Sequence, residues 1–284
     1  MRTIVGLLLI APLCLLAFVA DAAPTPAPDK PAAKAPPAPA PPKTPPKTQA
    51  QAAPPAKAPP APTAAPPPKA SPSTTAAPPP PPAITAIRTA QFCPTSGRVD
   101  PVGPFGMKVD LGGMRGVVAG DTSAKAELAF TYRGPSSATS PMADGTVKRQ
   151  IGLRLRAQDT CNAIYVMWQI APASRISVSV KRNPGKSTHA QCLDQGYINL
   201  RPTGEPSPPT PQVGAPRVLR AEIEGRILRV TADGATAFQG ALPEEADAFS
   251  GPAGIRSDNG VFDFEVRVPG GTQSQGSCAG VIRD

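Results

Sequence analysis

The sequence predicts an all-β domain of antiparallel strands, preceded by a long stretch unable to form a core. Three observations carry this expectation. First, from Arg217 to Val268 apolar residues interleave with charged ones. Val218, Ala221, Ile223, Ile227 and Val230 alternate roughly with Arg220, Glu222, Glu224, Arg226 and Arg229, the period-2 pattern of strands with one wet face. Second, tight-turn dipeptides punctuate the pattern at Glu224-Gly225 and Asp233-Gly234. Asp-Gly tolerates positive φ at both central positions of a type I′ turn, so 226–239 is expected to be a hairpin. Third, 42 prolines and only 4% aromatic residues in 284 leave a folded part of about 200 residues. That is enough for one domain burying roughly 70% of its unfolded surface.

Residues 1–22 combine Arg2, an apolar run from Ile4 to Ala20 and the small-x-small site Ala20-Asp21-Ala22, the pattern of a secretory signal peptide. Cys14 lies inside the apolar run after Leu13, which argues against a lipid anchor. A retained membrane anchor is the alternative, and Pro12 and the cleavage site weigh against it. Residues 23–83 are almost entirely Pro, Ala, Lys, Thr and Gln, with no large apolar residue before Ile84. Such a stretch is expected to be a disordered linker rich in polyproline II, able to reach on the order of 150 Å when extended.

The domain is placed at 84–284. MKVDL (107–111) and MRGVV (114–118) flank Gly112-Gly113, which reads as a two-residue hairpin turn. ELAFTYR (127–133) turns Leu128, Phe130 and Tyr132 inward. A central meander follows in IGLRLRA (151–157), NAIYVMWQI (162–170) and RISVSVK (175–181). One parity, from Ile151 through Trp168 to Val180, reads as core. The segment after Asn183-Pro184-Gly185 reads as irregular, residues 202–216 as a proline-rich surface loop, Pro243 to Phe249 as at most one helical turn, and Asp258-Asn259-Gly260 as a turn.

Beyond Cys14 four cysteines remain, an even number in an exported chain, which predicts two disulfides. Of three connectivities, Cys93 with Cys278 and Cys161 with Cys192 is the expected one, because the first pair flanks the domain's two ends. Zinc is the rival; with no CxxC and His189 as the single histidine, no metal or cofactor is assigned. From Thr85 onward 22 basic residues face 18 acidic ones. No arginine-rich helix or aromatic RNA-binding motif accompanies them, so a nucleic-acid partner is not expected.

GPAGIRSDN (251–259) with its closing strand FDFEVRV (262–268), and GLRLRAQD (152–159) followed by a tyrosine-bearing strand, resemble concanavalin A-like β-sandwiches. The laminin-G-like and 3-keto-disaccharide hydrolase-like variants are the nearest in pattern. The resemblance implies a two-sheet antiparallel jelly-roll sandwich, and a superfamily of lectins, glycosidases and adhesive modules. On it, the second parity of the meander becomes the candidate binding face. Tyr165 would stack on a sugar ring, while Arg154, Arg156, Gln169 and Lys181 would donate hydrogen bonds. The plain alternative is a solvated strand face.

No catalytic residue is assigned. The carboxylate pairs Asp263/Glu265 and Glu222/Glu224 suit glycoside hydrolysis superficially, but strand-face acids among arginines read as cross-strand ion pairs. Asp121, Asp144 and Asp258-Asn259 are weak calcium candidates lacking an Asp-x-Asp-x-Asp run. The expectation is a secreted, periplasmic or cell-envelope module that recognises a glycan or envelope polymer. A hydrolase or lyase of the same fold and a protein-binding adhesive module are the alternatives.

Overall fold

The computed structural model describes residues 82–201, 207–271 and 276–281. The expected signal peptide and nearly all of the expected linker lie outside these residues. Among the described residues thirteen strands are formed. The first six are β1 (Ile84–Ala86), β2 (Phe92–Ser96), β3 (Asp100–Val102), β4 (Gly106–Val118), β5 (Lys125–Pro135) and β6 (Arg149–Leu155). Then come β7 (Ala163–Ala171), β8 (Arg175–Lys181), β9 (Tyr197–Leu200), β10 (Pro216–Glu224), β11 (Ile227–Ala232), β12 (Ala235–Ala241) and β13 (Gly254–Pro269). One α-turn, α1 (His189–Cys192), precedes β9, and a 3-10 turn spans Glu244–Ala248. All pairings are antiparallel.

The ladder runs β12-β11-β10-β5-β13-β6-β7-β8-β9, with β4 on the other edge of β13. The long strand β13 joins two layers. Its residues 260–267 pair with β5, whereas 254–258 pair with β6. Between them sits Asn259 at φ 55°, a left-handed kink that asparagine tolerates. The ladder then folds back on itself. Strands β5 and β7 are three ladder steps apart, about 14 Å on a flat sheet, yet the rings of Phe130 and Trp168 meet edge-on at 5.6 Å. Their contact is the interior of an antiparallel β-sandwich.

The core is filled by the parity that the alternation marks: Leu128, Phe130 and Tyr132 from β5, Ile151, Leu153 and Leu155 from β6, and Ile164, Val166 and Trp168 from β7. Fully burying such a side chain stabilises by about 1.5–3 kcal/mol. The Asp233-Gly234 hairpin forms with positive φ at both residues and Ala232 opposite Ala235. Disulfides join Cys93 to Cys278 and Cys161 to Cys192.

Three expectations are corrected. Gly112-Gly113 does not turn; β4 runs unbroken from Gly106 to Val118 because β13 pairs along its length, Phe264 opposite Met107 through Gly254 opposite Val117. A Cβ on Gly112 would lie 3.0 Å from Ser140, so the glycine admits a crossing loop. Asp258-Asn259-Gly260 likewise kinks a strand instead of reversing it. The segment read as irregular after Gly185 supplies β9, which pairs with β8 from Val178–Leu200 to Lys181–Tyr197.

Candidate functional site

The outer face of β6, β7, β8 and β13 is assembled row by row from the strand register. Arg115, Arg256, Gly152, Met167 and Ser177 form one row across β4, β13, β6, β7 and β8. The row on one side is Val117, Gly254, Arg154, Tyr165 and Ser179, continuing to Asn199 on β9. On the other side stand Gly113, Asp258, Gln150, Gln169 and Arg175. Paired residues of an antiparallel ladder share a face, so these side chains converge.

Of these, Gln150, Tyr165, Met167, Gln169, Ser177 and Arg256 help to floor a groove of about 770 Å³. Its rim is built from Met142, Asp144 and Lys148 of the loop after β5 and from Tyr197, Asn199 and Arg201 around β9. Asn259 fixes that loop: its amide oxygen accepts from the Ser140 N–H at 2.6 Å, and its amide nitrogen donates to the carbonyls of Ser140 and Lys148 at 3.0 and 2.9 Å. The kink residue of β13 therefore sets one wall of the groove.

The floor is polar and strongly hydrogen-bonded. The Asp258 carboxylate accepts from Arg256 Nε at 2.9 Å and from Gln150 Nε2 at 2.6 Å. Arg256 Nη1 donates to the Tyr197 hydroxyl at 3.3 Å, and Arg175 Nε donates to Gln169 at 3.2 Å. Tyr165 lies between two guanidiniums, with Arg154 5.8 Å and Arg256 5.5 Å from its ring centre. Lys181 donates to the Leu193 carbonyl at 2.6 Å and sits 5.1 Å over the ring of Tyr197.

Burial and charge act together here. Burial pushes the Tyr165 phenol up, but Arg154, Arg256, Arg115 and Lys181 outweigh it and hold the phenol below its ordinary value. Tyr197 is pushed up by burial against the pull of Arg256. Burial lowers both Arg154 and Lys181, while Arg256 is raised because Asp258 and the two tyrosines overcome the cost of its burial.

Four of the five residues expected to bind, Arg154, Tyr165, Gln169 and Lys181, share this face. The expectation that they form an open surface is corrected: they are 1–2% exposed. Cys278 and Val281 pack on the cluster containing Cys93, Val117, Tyr165 and Met167, and β9 covers the far edge. Tyr165 is thus enclosed by guanidiniums and is not free to stack on a sugar. Arg156 leaves the face altogether. It follows β6 at φ 47°, and its Nη1 donates to the Ala246 carbonyl at 2.8 Å beside Asp247.

The sequence reading missed Arg256 for this face, took Asp258 only as a weak calcium candidate, and missed Gln150, Tyr197 and Asn199. The first two stand within GIRSDN, so the motif that carried the family resemblance also carries the groove floor. The carboxylate pairs take no part. Asp263 and Glu265 bind Arg133 and Arg267, and Glu222 and Glu224 bind Lys125 and Arg229, at 2.8–3.2 Å. Trp168 is wholly buried. Among the described residues no cluster of His, Cys, Asp or Glu suits a metal ion.

No protein-family model matches the chain, and no curated protein matches it. Solved structures do. The carbohydrate-binding module CBM66 from Bacillus subtilis is similar at 13% identity over 62% of this chain and 92% of that one, with a TM-score of 0.42. A putative glycosyl hydrolase from Parabacteroides distasonis gives 9% identity over 64% and 88%, TM-score 0.41. The carbohydrate recognition domain of Emp46p gives 10% over 62% and 87%, TM-score 0.38. Likenesses at this level say nothing of what this chain binds, and the sandwich rests on the strand order described above.

Proposed function

We propose that this chain is an exported, non-catalytic recognition module that holds a glycan or envelope polymer in the groove over β6–β9. The observation that carries the reading is the groove's lining. Ser177, Ser179 and Asn199 offer donors and acceptors on adjacent strands, and Tyr197 adds a half-buried ring at the edge. Closely spaced hydroxyl and amide groups beside an aromatic edge match a sugar, whose rim is hydroxyl-rich and whose faces are apolar. The two disulfides suit an oxidising compartment, and the leader and proline-rich linker would deliver and tether the domain there. The test is binding of the full mature chain to an array of plant, bacterial and animal polysaccharides and peptidoglycan. Saturable binding to one class is expected, weakened about tenfold by Tyr197→Ala or Asn199→Ala. Binding that both variants retain at full strength would remove the groove from the reading.

A further inference from the structure

We infer that the saccharide held in the groove carries an anionic group, a carboxylate or a sulfate, received over Arg256; this deepens the groove reading above and rests on it. The first support is where the charge lies. The domain's basic residues exceed its acidic ones, 22 to 18 from Thr85 onward. Lys148, Arg175, Arg201 and Arg256 line the groove, and Arg115, Arg154 and Lys181 stand around Tyr165 at its floor. Against them are Asp144 and Asp194 on the lining and Asp258 beside Arg256. This one region therefore accounts for the whole surplus of the domain.

The second support is that these cations are placed at a cost that the fold recovers only in part. Arg115 and Arg256 are directly opposite on β4 and β13, an arrangement of like charges that destabilises a sheet. Arg154, 1% exposed, donates from Nη2 to the Asp159 carbonyl at 2.7 Å, while its Nε and Nη1 are buried without a partner. The Nε of Arg115 is in the same state. Burying an ion costs several kcal/mol unless a counter-charge accompanies it, and Asp258 answers only Arg256. Arg256 itself is paired with Asp258, but an anion entering above it meets the remaining positive charge of Arg115 and Arg154 behind it, in a poorly solvated floor where attraction is strongest. Guanidinium groups match planar carboxylate and sulfate oxygens in pairs. The neighbouring amides and serines remain for hydroxyls, which separates an acidic sugar from a bare anion.

The test uses the full mature chain at physiological salt and matched polysaccharide pairs: polygalacturonate with its methyl ester, and a sulfated galactan with its desulfated form. The expected result is about tenfold or tighter binding of an acidic member, with the two pairs telling carboxylate from sulfate. Arg256→Gln should abolish the preference. A double variant, Arg175→Gln with Arg201→Gln, changes only exposed side chains and should reduce the preference several-fold with the fold intact. A bound anion should also raise the pH at which the Tyr165 phenol ionises, read by ultraviolet absorbance. Equal binding of acidic and neutral members would overturn this inference and leave the glycan reading standing. Equal binding of polyphosphate and single-stranded DNA, unchanged in both variants, would assign the attraction to the six lysines between residues 23 and 83 and overturn it too. Binding to no polysaccharide would overturn the groove reading, and this inference with it.

Discussion

Replacing Asn259 tests whether a single kink residue builds the groove wall. Its side chain is 1% exposed and makes three hydrogen bonds to the 136–148 loop, at 2.6, 2.9 and 3.0 Å. At about 1 kcal/mol net for each bond, truncation removes about 3 kcal/mol. The backbone adds its own penalty, since φ is 55° and alanine in the left-handed region costs about 1 kcal/mol more than glycine. Asn259→Ala should therefore destabilise by about 4 kcal/mol and Asn259→Gly by about 3, measured as the shift in urea midpoint at constant slope. The loop should loosen in both, so trypsin should cut at Lys148 or Arg149 well before the rest of the domain. Saccharide affinity should fall with the loss of Asp144 and Lys148 from the rim. A loss under about 1 kcal/mol for alanine, with tryptic cleavage unchanged, would refute the reasoning. Equal losses for alanine and glycine would refute its backbone part.

Ultraviolet titration should find the Tyr165 phenol ionising below the ordinary tyrosine value and Tyr197 above it, with Tyr165→Phe deleting the low component. Because folding depresses the Tyr165 value, the unfolded chain holds the extra proton between the two values. This group should therefore add stability as pH rises through that window and none below it; stability that falls there in wild type relative to Tyr165→Phe would contradict the assignment. Removing Cys93–Cys278, which spans 185 residues, should cost about 5 kcal/mol by loop closure, against about 3.5 for Cys161–Cys192 across 31. A larger drop in Tm for the shorter loop would reverse this order. Trp168→Ala should cost about 4 kcal/mol, and the native indole, being fully buried, should emit at short wavelength and resist acrylamide; ready quenching would contradict the core placement.

Strand parity was legible because a strand's side-chain period is two whatever it pairs with. Hence Ile151, Leu153, Trp168 and Val178 could be assigned to the core from alternation alone. Asp233-Gly234 was legible for a similar reason, since the dipeptide's own φ preference closes the hairpin. Gly112-Gly113 shows the limit of local signals. Two glycines permit a reversal and a close crossing equally, and the choice fell to the pairing with β13. The four residues Tyr197 to Leu200 are too short a run to announce a strand, and they became β9 by hydrogen-bonding to the open edge of β8.

The candidate face divides along the same line. Alternation in the sequence determined that Arg154, Tyr165 and Gln169 share one side of the meander. It did not determine whether that side meets water, because exposure depends on what covers a face. Here the covers come from far along the chain: Cys278 and Val281 beside Cys93, Tyr197 on β9, and a loop held by Asn259. The surroundings of the Arg256–Asp258 pair come from afar as well: strand order and register set Arg115 opposite Arg256, Gln150 on the Asp258 carboxylate and the Tyr197 hydroxyl on Arg256. A single strand's pattern records which way its side chains point, since that is set by its own backbone. Which charges meet, and how far they are withdrawn from solvent, was decided only when β13 kinked at Asn259 and drew β4, β5 and β6 to one strand.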